Sequence, residues 1–171
     1  MHRTTSRLML RPPRAEDLTR LFEIYSDPAT NQFNPAGPLA DIRQAEVLLQ
    51  GWRHHWEKNG YGQWAISTRE APEQVIGFGG IALYNYLNVE RLNLGYRFDA
   101  AAWGKGYATE LGHASLEFAF ADLKAEQVYA LVRPAHSASI AVLEKIGMQP
   151  FGELDDVPGQ PQSLVFIARR T

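Results

Sequence analysis

The chain of 171 residues contains no cysteine. That excludes a disulfide framework, a thiolate nucleophile and any metal site built on thiolates. Neither sign of charge is in excess: 17 Lys and Arg stand against 19 Asp and Glu, a formal net charge of -2. A nucleic-acid surface normally shows as a basic excess, and there is none. No apolar run approaches the roughly 20 residues that cross a bilayer. Met1-His2-Arg3-Thr4 leads into no signal-peptide core. No repeat, linker or low-complexity tract divides the chain. Its hydrophobic content of 45% and charged content of 21% are ordinary for a folded soluble protein, and this length buries a substantial core. The expectation is one domain, residues 1–171, in a cytoplasmic enzyme or binding domain without nucleic-acid or membrane partners.

Periodicity and punctuation predict the elements. Leu8-Met9-Leu10-Arg11 is short, apolar and stopped by Pro12-Pro13, which reads as an edge strand. Leu18, Leu21, Phe22 and Tyr25 mark one face of a helix ended by Asp27-Pro28. Asp41 caps a second helix with apolar face Ile42, Ala45, Leu49, Trp52 and Trp56, closed by Asn59-Gly60. His54 and His55 fall in its last turn; neighbours in sequence diverge on a helix, so they read as solvated or packed rather than as a metal pair. Strands follow at Gln63 to Thr68, Val75 to Tyr84 and Arg91 to Phe98, close enough in sequence to pair antiparallel. Gly77, Gly79 and Gly80 in the second of these suggest a bulge or a close backbone approach. A helix begins near Ala108, with Leu111, Ala114 and Phe118 at helical spacing and Leu116, Phe120 and Leu123 widening the stripe. A strand from Gln127 to Val132 ends at Pro134. A helix then starts at Ser137 or Ser139 and is capped by Gly147, and a final strand pair spans Met148 to Leu154 and Ser163 to Ala168. The order predicts a mixed α/β sheet.

The most informative stretch is Gly95 to Glu110. Leu92, Leu94, Tyr96 and Phe98 alternate as in a half-buried strand, and Gly104 and Gly106 lie at the entry of the next helix. Free N–H groups of a first helical turn, together with the helix dipole, attract an anion, and glycine lets a phosphate approach the backbone. The spacing fits neither a Walker A loop nor a Rossmann fingerprint, since Thr109 stands where the third glycine belongs. A glycine pair alone also suits a plain strand-to-helix turn; the whole octet Trp103-Gly104-Lys105-Gly106-Tyr107-Ala108-Thr109-Glu110 favours a diphosphate cradle.

That octet resembles the coenzyme-binding motif of the GNAT superfamily of N-acetyltransferases, and in particular its RimJ/RimL-type branch, which acetylates ribosomal-protein N-termini. The opening Thr5 to Pro12 and the later Arg133 to Met148 resemble the same branch, and the element order agrees along nearly the whole chain. The resemblance implies an α/β (α+β) fold with a mixed, mostly antiparallel central sheet and helices on both faces. It implies acetyl-CoA as co-substrate and no metal, with the pyrophosphate held by Gly104, Lys105, Gly106, Tyr107, Ala108 and Thr109. The pantetheine arm would pair with main-chain groups of Tyr96, Arg97 and Phe98 like an added strand. His136 stands where the branch usually has Asn and would contact the pantetheine or the acceptor. Homodimers are common in the branch.

The chemistry implied is attack of a primary amine on a thioester, with no covalent intermediate. A tyrosine that protonates the leaving thiolate in many relatives is Leu143 here. Ser139 remains as a hydrogen-bond donor to the sulfur, or else as a helix cap. Where relatives place a glutamate base this chain has Asn93, which can position a water; Glu90 and Glu153 are further candidates. The acceptor, a protein N-terminus or a small amine, would enter beside Asn31, Phe33 and Asn34 and the acidic loop with Asp155 and Asp156. A different class is kept beside this one: a module that binds acyl-CoA without turnover, as a sensor or partner domain.

Overall fold

The computed structural model describes residues 2–171. Its elements follow the local signals closely. Strand β1 is Arg3–Thr4 and β2 is Leu8–Arg11; helix α1 is Leu18–Tyr25 and α2 is Ile42–Asn59. Strands β3, β4 and β5 are Gln63–Thr68, Val75–Tyr86 and Val89–Phe98. Helix α3 is Tyr107–Glu117, β6 is Gln127–Val132, α4 is Ser137–Lys145, and β7 and β8 are Gln149–Leu154 and Ser163–Arg169. The eight strands are ordered β1-β2-β3-β4-β5-β6-β8-β7. Neighbours pair antiparallel at β1–β2, β2–β3, β3–β4, β6–β8 and β7–β8, whereas β5 meets β6 in parallel at Asn93↔Tyr129. The result is a mixed α/β fold with a mostly antiparallel open sheet and four helices.

The chain forms two compact units, Met1–Gly80 with Tyr96–Tyr107, and Ile81–Gly95 with Ala108–Thr171. The first is built on the amphipathic helices read from the sequence. Leu21 and Ile24 of α1 and Ala45 and Leu49 of α2 close over Ala65, Val75 and Phe78 of the sheet, all at most 5% exposed. Trp52 lies 5.3 Å from the Phe78 ring and 5.7 Å from that of Tyr25, so aromatic contacts lock the two helices to β4. Asp41 accepts from the Gln44 amide, and Gly60 ends α2 at φ +77. His55 docks on the Tyr61 carbonyl at 2.8 Å and edge-on to its ring, the packing role expected of it. In the second unit Gly112 of α3 admits the side chain of Ile146, the C-cap of α4, whose Cδ1 lies 2.8 Å from where a Cβ would stand.

Several expectations are corrected. Leu8–Arg11 is not the edge of the sheet, because Arg3–Thr4 covers it through Arg3↔Leu10 and Thr4↔Met9. Two residues carry too little pattern to read as a strand. The connection of β4 to β5 is shorter than expected: Leu87 and Asn88 turn the chain alone at φ +49 and +75, and the Asn85 side chain accepts from the Asn88 amide. Leu123 falls beyond the helical stripe, since α3 gives way to a wider π turn at Phe118–Asp122. Ser139 lies inside α4, whose N-cap is His136, so the capping role considered for it falls away. Gly147, at φ +94, follows the actual C-cap Ile146.

Among the described residues no helix is long and apolar enough to cross a membrane, and no cluster of His, Asp and Glu is arranged to hold a metal ion.

Candidate functional site

In the first unit, β5 runs out at Phe98 and Asp99 turns the chain. Asp99 accepts from the Ala101 amide, while its own N–H donates to the Ile76 carbonyl at 2.8 Å. Its carboxylate also takes the Arg20 guanidinium, whose Nε donates to the Val75 carbonyl at 2.7 Å. The Arg20 hydrogen bond holds the Asp99 carboxyl below the usual range, helped by the Ala101 amide against some desolvation. The unfolded chain therefore binds the proton more tightly, and this carboxylate stabilises the fold above its unfolded pKa. That contribution is lost as the pH falls below about 4. Asp99→Asn is accordingly expected to flatten the acid limb of stability, read as a smaller drop in urea midpoint on acidification than the parent chain shows.

After Trp103, whose indole N–H donates to the Phe98 carbonyl at 3.0 Å, the chain reaches the glycine turn. Gly104 and Gly106 sit at φ +77 and +82, conformations that side chains rarely adopt, and α3 starts at Tyr107. No atom lies within 4 Å of a Cβ placed on Gly104. Arg7 straps the turn: its Nη1 donates to the Lys105 carbonyl at 2.7 Å, and its guanidinium lies 4.6 Å from the Tyr107 ring centroid. Both glycines, Lys105 and Arg7 thus border one exposed helix start, a fit for a diphosphate. Nothing in the local sequence links Arg7 to a turn 98 residues on.

Tyr96, Arg97 and Phe98 lie at the end of β5, with Phe98 buried and the other two half-buried. The Arg97 side chain leaves its main chain free of it, lying 4.5 Å over the Tyr25 ring and donating to Asn31 Oδ1 at 2.8 Å. Tyr25 is pushed up to about 12, by desolvation against the opposing pull of Arg97. Asn31 is 5% exposed and also donates to the Tyr25 and Asp27 carbonyls. It ties α1 to β5, a framework role.

The second unit holds Asn93, Ala108, Thr109, His136 and Ser139. Ala108 and Thr109 continue the first turn of α3 and are half-buried, as are His136 and Ser139 at the start of α4. Leu143 is 2% exposed, a core residue. Asn93 accepts from the Tyr86 hydroxyl at 2.5 Å. Burial, with Tyr84 adding to it, pushes the Tyr86 phenol well up, so it keeps its proton and remains the donor. The Asn93 amide oxygen thus has one lone pair engaged and a second left to accept, while its Nδ2, 3.4 Å from a Cβ built on Gly95, remains a donor. Glu90 alternates onto the face of β5 opposite Asn93. Asp156 accepts from Ser163 at 2.8 Å and lies 3.9 Å from Arg133, whose Nη2 reaches the Pro161 carbonyl. It pins the loop between β7 and β8 instead of offering an unpaired acid to an amine.

Comparison with known proteins gives a consistent picture. A family model described as "Acetyltransferase (GNAT) domain" matches residues 7–149. An uncharacterized N-acetyltransferase p20 of Bacillus licheniformis is 30% identical over 152 residues, covering 89% of this chain and 84% of that one. The crystal structure of an acetyltransferase from Agrobacterium tumefaciens superposes with a TM-score of 0.83 at 25% identity, over 99% of this chain and 95% of that one. A Vibrio cholerae spermidine N-acetyltransferase, solved in complex with CoA and spermine, shares the fold with a TM-score of 0.77 at 19% identity, over 96% of each chain.

Proposed function

Since the chain belongs to the GNAT acetyltransferase family, we propose that it transfers an acetyl group directly from acetyl-CoA to a primary amine. The observation that carries this reading is the glycine turn at φ +77 and +82 opening onto α3, with Arg7 strapped across it. Gly104, Lys105, Gly106, Tyr107, Ala108 and Thr109 would hold the diphosphate through main-chain N–H groups, and the main chain of Tyr96, Arg97 and Phe98 would align the pantetheine. The neutral amine nitrogen would add to the thioester carbon, with a main-chain N–H near Tyr96 meeting the oxyanion; the C–S bond then breaks, and the proton lost by the nitrogen passes through water to the departing thiolate. Ser139 is assigned to the leaving sulfur, His136 to the pantetheine or acceptor, and Asn93 to orienting the attacking amine or its water. Asn93 takes no proton; the second lone pair of its oxygen would accept from the N–H of the amine or from its water, and proximity supplies much of the rate.

One domain of residues 1–171, a cytoplasmic setting, a homodimer and a RimJ/RimL-like place in the family complete the proposal. A second reading, an acyl-CoA-binding module without turnover, draws on buried Leu143 and on Asn93, neither of which can give or take a proton as the usual tyrosine and glutamate would. Two measurements decide. Titration with coenzyme A is expected to move the amide signals of residues 104–109, and unmoved signals would remove the acyl donor. Thiol release across an amine panel is expected for the enzyme; binding without release on any amine favours the module.

A further inference from the structure

Arg91 differs from the other half-buried arginines of known partner. Arg11 donates to Asp17, Arg20 to Asp99, Arg97 to Asn31 and Arg133 to Ser163. Arg91 makes no hydrogen bond or ion pair among the described residues. Its guanidinium instead lies 4.2 Å from the Tyr129 ring centroid and 5.9 Å from that of Tyr86. Ring contact engages the cation's charge but none of its five N–H donors, which a half-buried guanidinium ordinarily satisfies.

The rings beneath it form a row. Tyr84, Tyr86, Tyr129 and Phe151 follow at centroid spacings of 5.9, 5.9 and 5.5 Å. The middle two are 4% exposed, while Tyr84 and Phe151 at the ends are 52% and 49% exposed. The row is therefore rigid at its centre and open at its rim. Arg169 adds a second cation 5.9 Å from the Phe151 ring. Asp156, the acid near enough to act on Tyr86, is already held by Ser163 and Arg133. Arg91 and Asn93 alternate onto one face of β5, about 7 Å apart along the strand.

We infer that Arg91, held on Tyr129 and Tyr86, is the anchor of an acceptor subsite for an amine that also carries an anionic oxygen group. This rests on the acetyltransferase reading, which places the amine beside Asn93. A carboxylate or a phosphate one residue's reach from that amine would take the fork of Arg91 and displace only water. A polyamine would bring further positive charge to the same guanidinium. Amphoteric amines, of the amino-acid or phosphoamine type, are thus the favoured acceptors over polycations.

The test is thiol release from acetyl-CoA with matched acceptors: free amino acids against their amides, phosphoethanolamine against ethanolamine, and spermidine. Each is run at a pH that equalises the free-amine fraction. One anionic member is expected to exceed its neutral partner in kcat/KM by about 10- to 100-fold, mainly through KM. The amino-acid and phosphoamine arms tell carboxylate from phosphate. Arg91→Gln is expected to bring that ratio near one and Arg91→Lys to restore part of it, whereas a merely structural defect would lower both members alike and leave the ratio. Equal use of neutral and anionic partners, preference for spermidine, or an unchanged ratio in Arg91→Gln would each overturn the subsite. Absence of release from every amine would instead sink the acetyltransferase reading. The subsite is then decided by phosphoethanolamine titration, with shifts of the Arg91 Nε–H and Tyr129 ring signals expected and their absence refuting it.

Discussion

Gly106→Val is expected to weaken binding of acetyl-CoA by about 100-fold while leaving a folded chain. At φ +82 a β-branched residue is strained, and left-handed backbone costs roughly 1–2 kcal/mol for an L-residue. The new Cβ also stands 3.3 Å from Arg7 Nη2, so the guanidinium that straps the Lys105 carbonyl must give way. Relief of both moves the N–H groups aimed at the diphosphate. Losing one or two charge-assisted hydrogen bonds, each worth about 1.5–3 kcal/mol, accounts for the predicted factor. The turn is exposed, so the unfolding midpoint should fall only by the strain term. Gly104→Ala provides the graded comparison: the same strained backbone at φ +77, with no atom within 4 Å, predicts a loss nearer tenfold. Calorimetric titration with coenzyme A measures both. Parental affinity in Gly106→Val would mean that the turn does not hold the donor.

The largest effect on stability is expected at Gly77. A Cβ there would lie 2.7 Å from the Arg97 carbonyl oxygen and 2.8 Å from Phe98 Cδ1. The first is backbone and cannot rotate aside, and Phe98 is a buried core ring, 5% exposed. Gly77→Val should therefore cost about 3 kcal/mol or more, the upper range for overpacking a core. The displaced segment is Arg97–Phe98, the main chain assigned to the pantetheine, so the surviving folded fraction should also bind coenzyme A poorly. Gly95→Ala is the contrast. Its Cβ would meet Asn93 Nδ2 at 3.4 Å, an ordinary contact, and should change stability by less than about 1 kcal/mol. Urea midpoints followed by tryptophan fluorescence compare the two. A Gly77→Val chain as stable as the parent would show that β4 and β5 do not approach at this point as described.

Helix α2 shows how far local pattern carries. Its apolar face, its Asp41 cap and its Gly60 stop are all set within a few residues, and its limits agree with those read from the chain. The same holds for β3 and β6. The β4–β5 turn was misread because Leu87 is a poor left-handed residue; the Asn85 side chain and the strand pairing impose that conformation. At the site, the glycine turn was legible because its backbone requirement excludes other residue types. The partners of Asn31 and Asp156 were hidden for the opposite reason. A polar residue in a loop reads as available until its partner is known, and their partners are Arg97, 66 residues away, and Arg133 with Ser163. The Tyr86–Asn93 pair and the unpaired Arg91 were equally silent in one dimension.

By itself the sequence determined where the chain bends, which faces are apolar and where a glycine pair opens a helix, because periodicity, caps and left-handed glycines act over a turn or two. Only the tertiary structure decided which polar groups are engaged in the framework. That engagement depends on pairings between residues tens of positions apart, such as Arg7 with Lys105 and Arg133 with Ser163, and the free energy of each pairing exists only once the sheet has brought its members together.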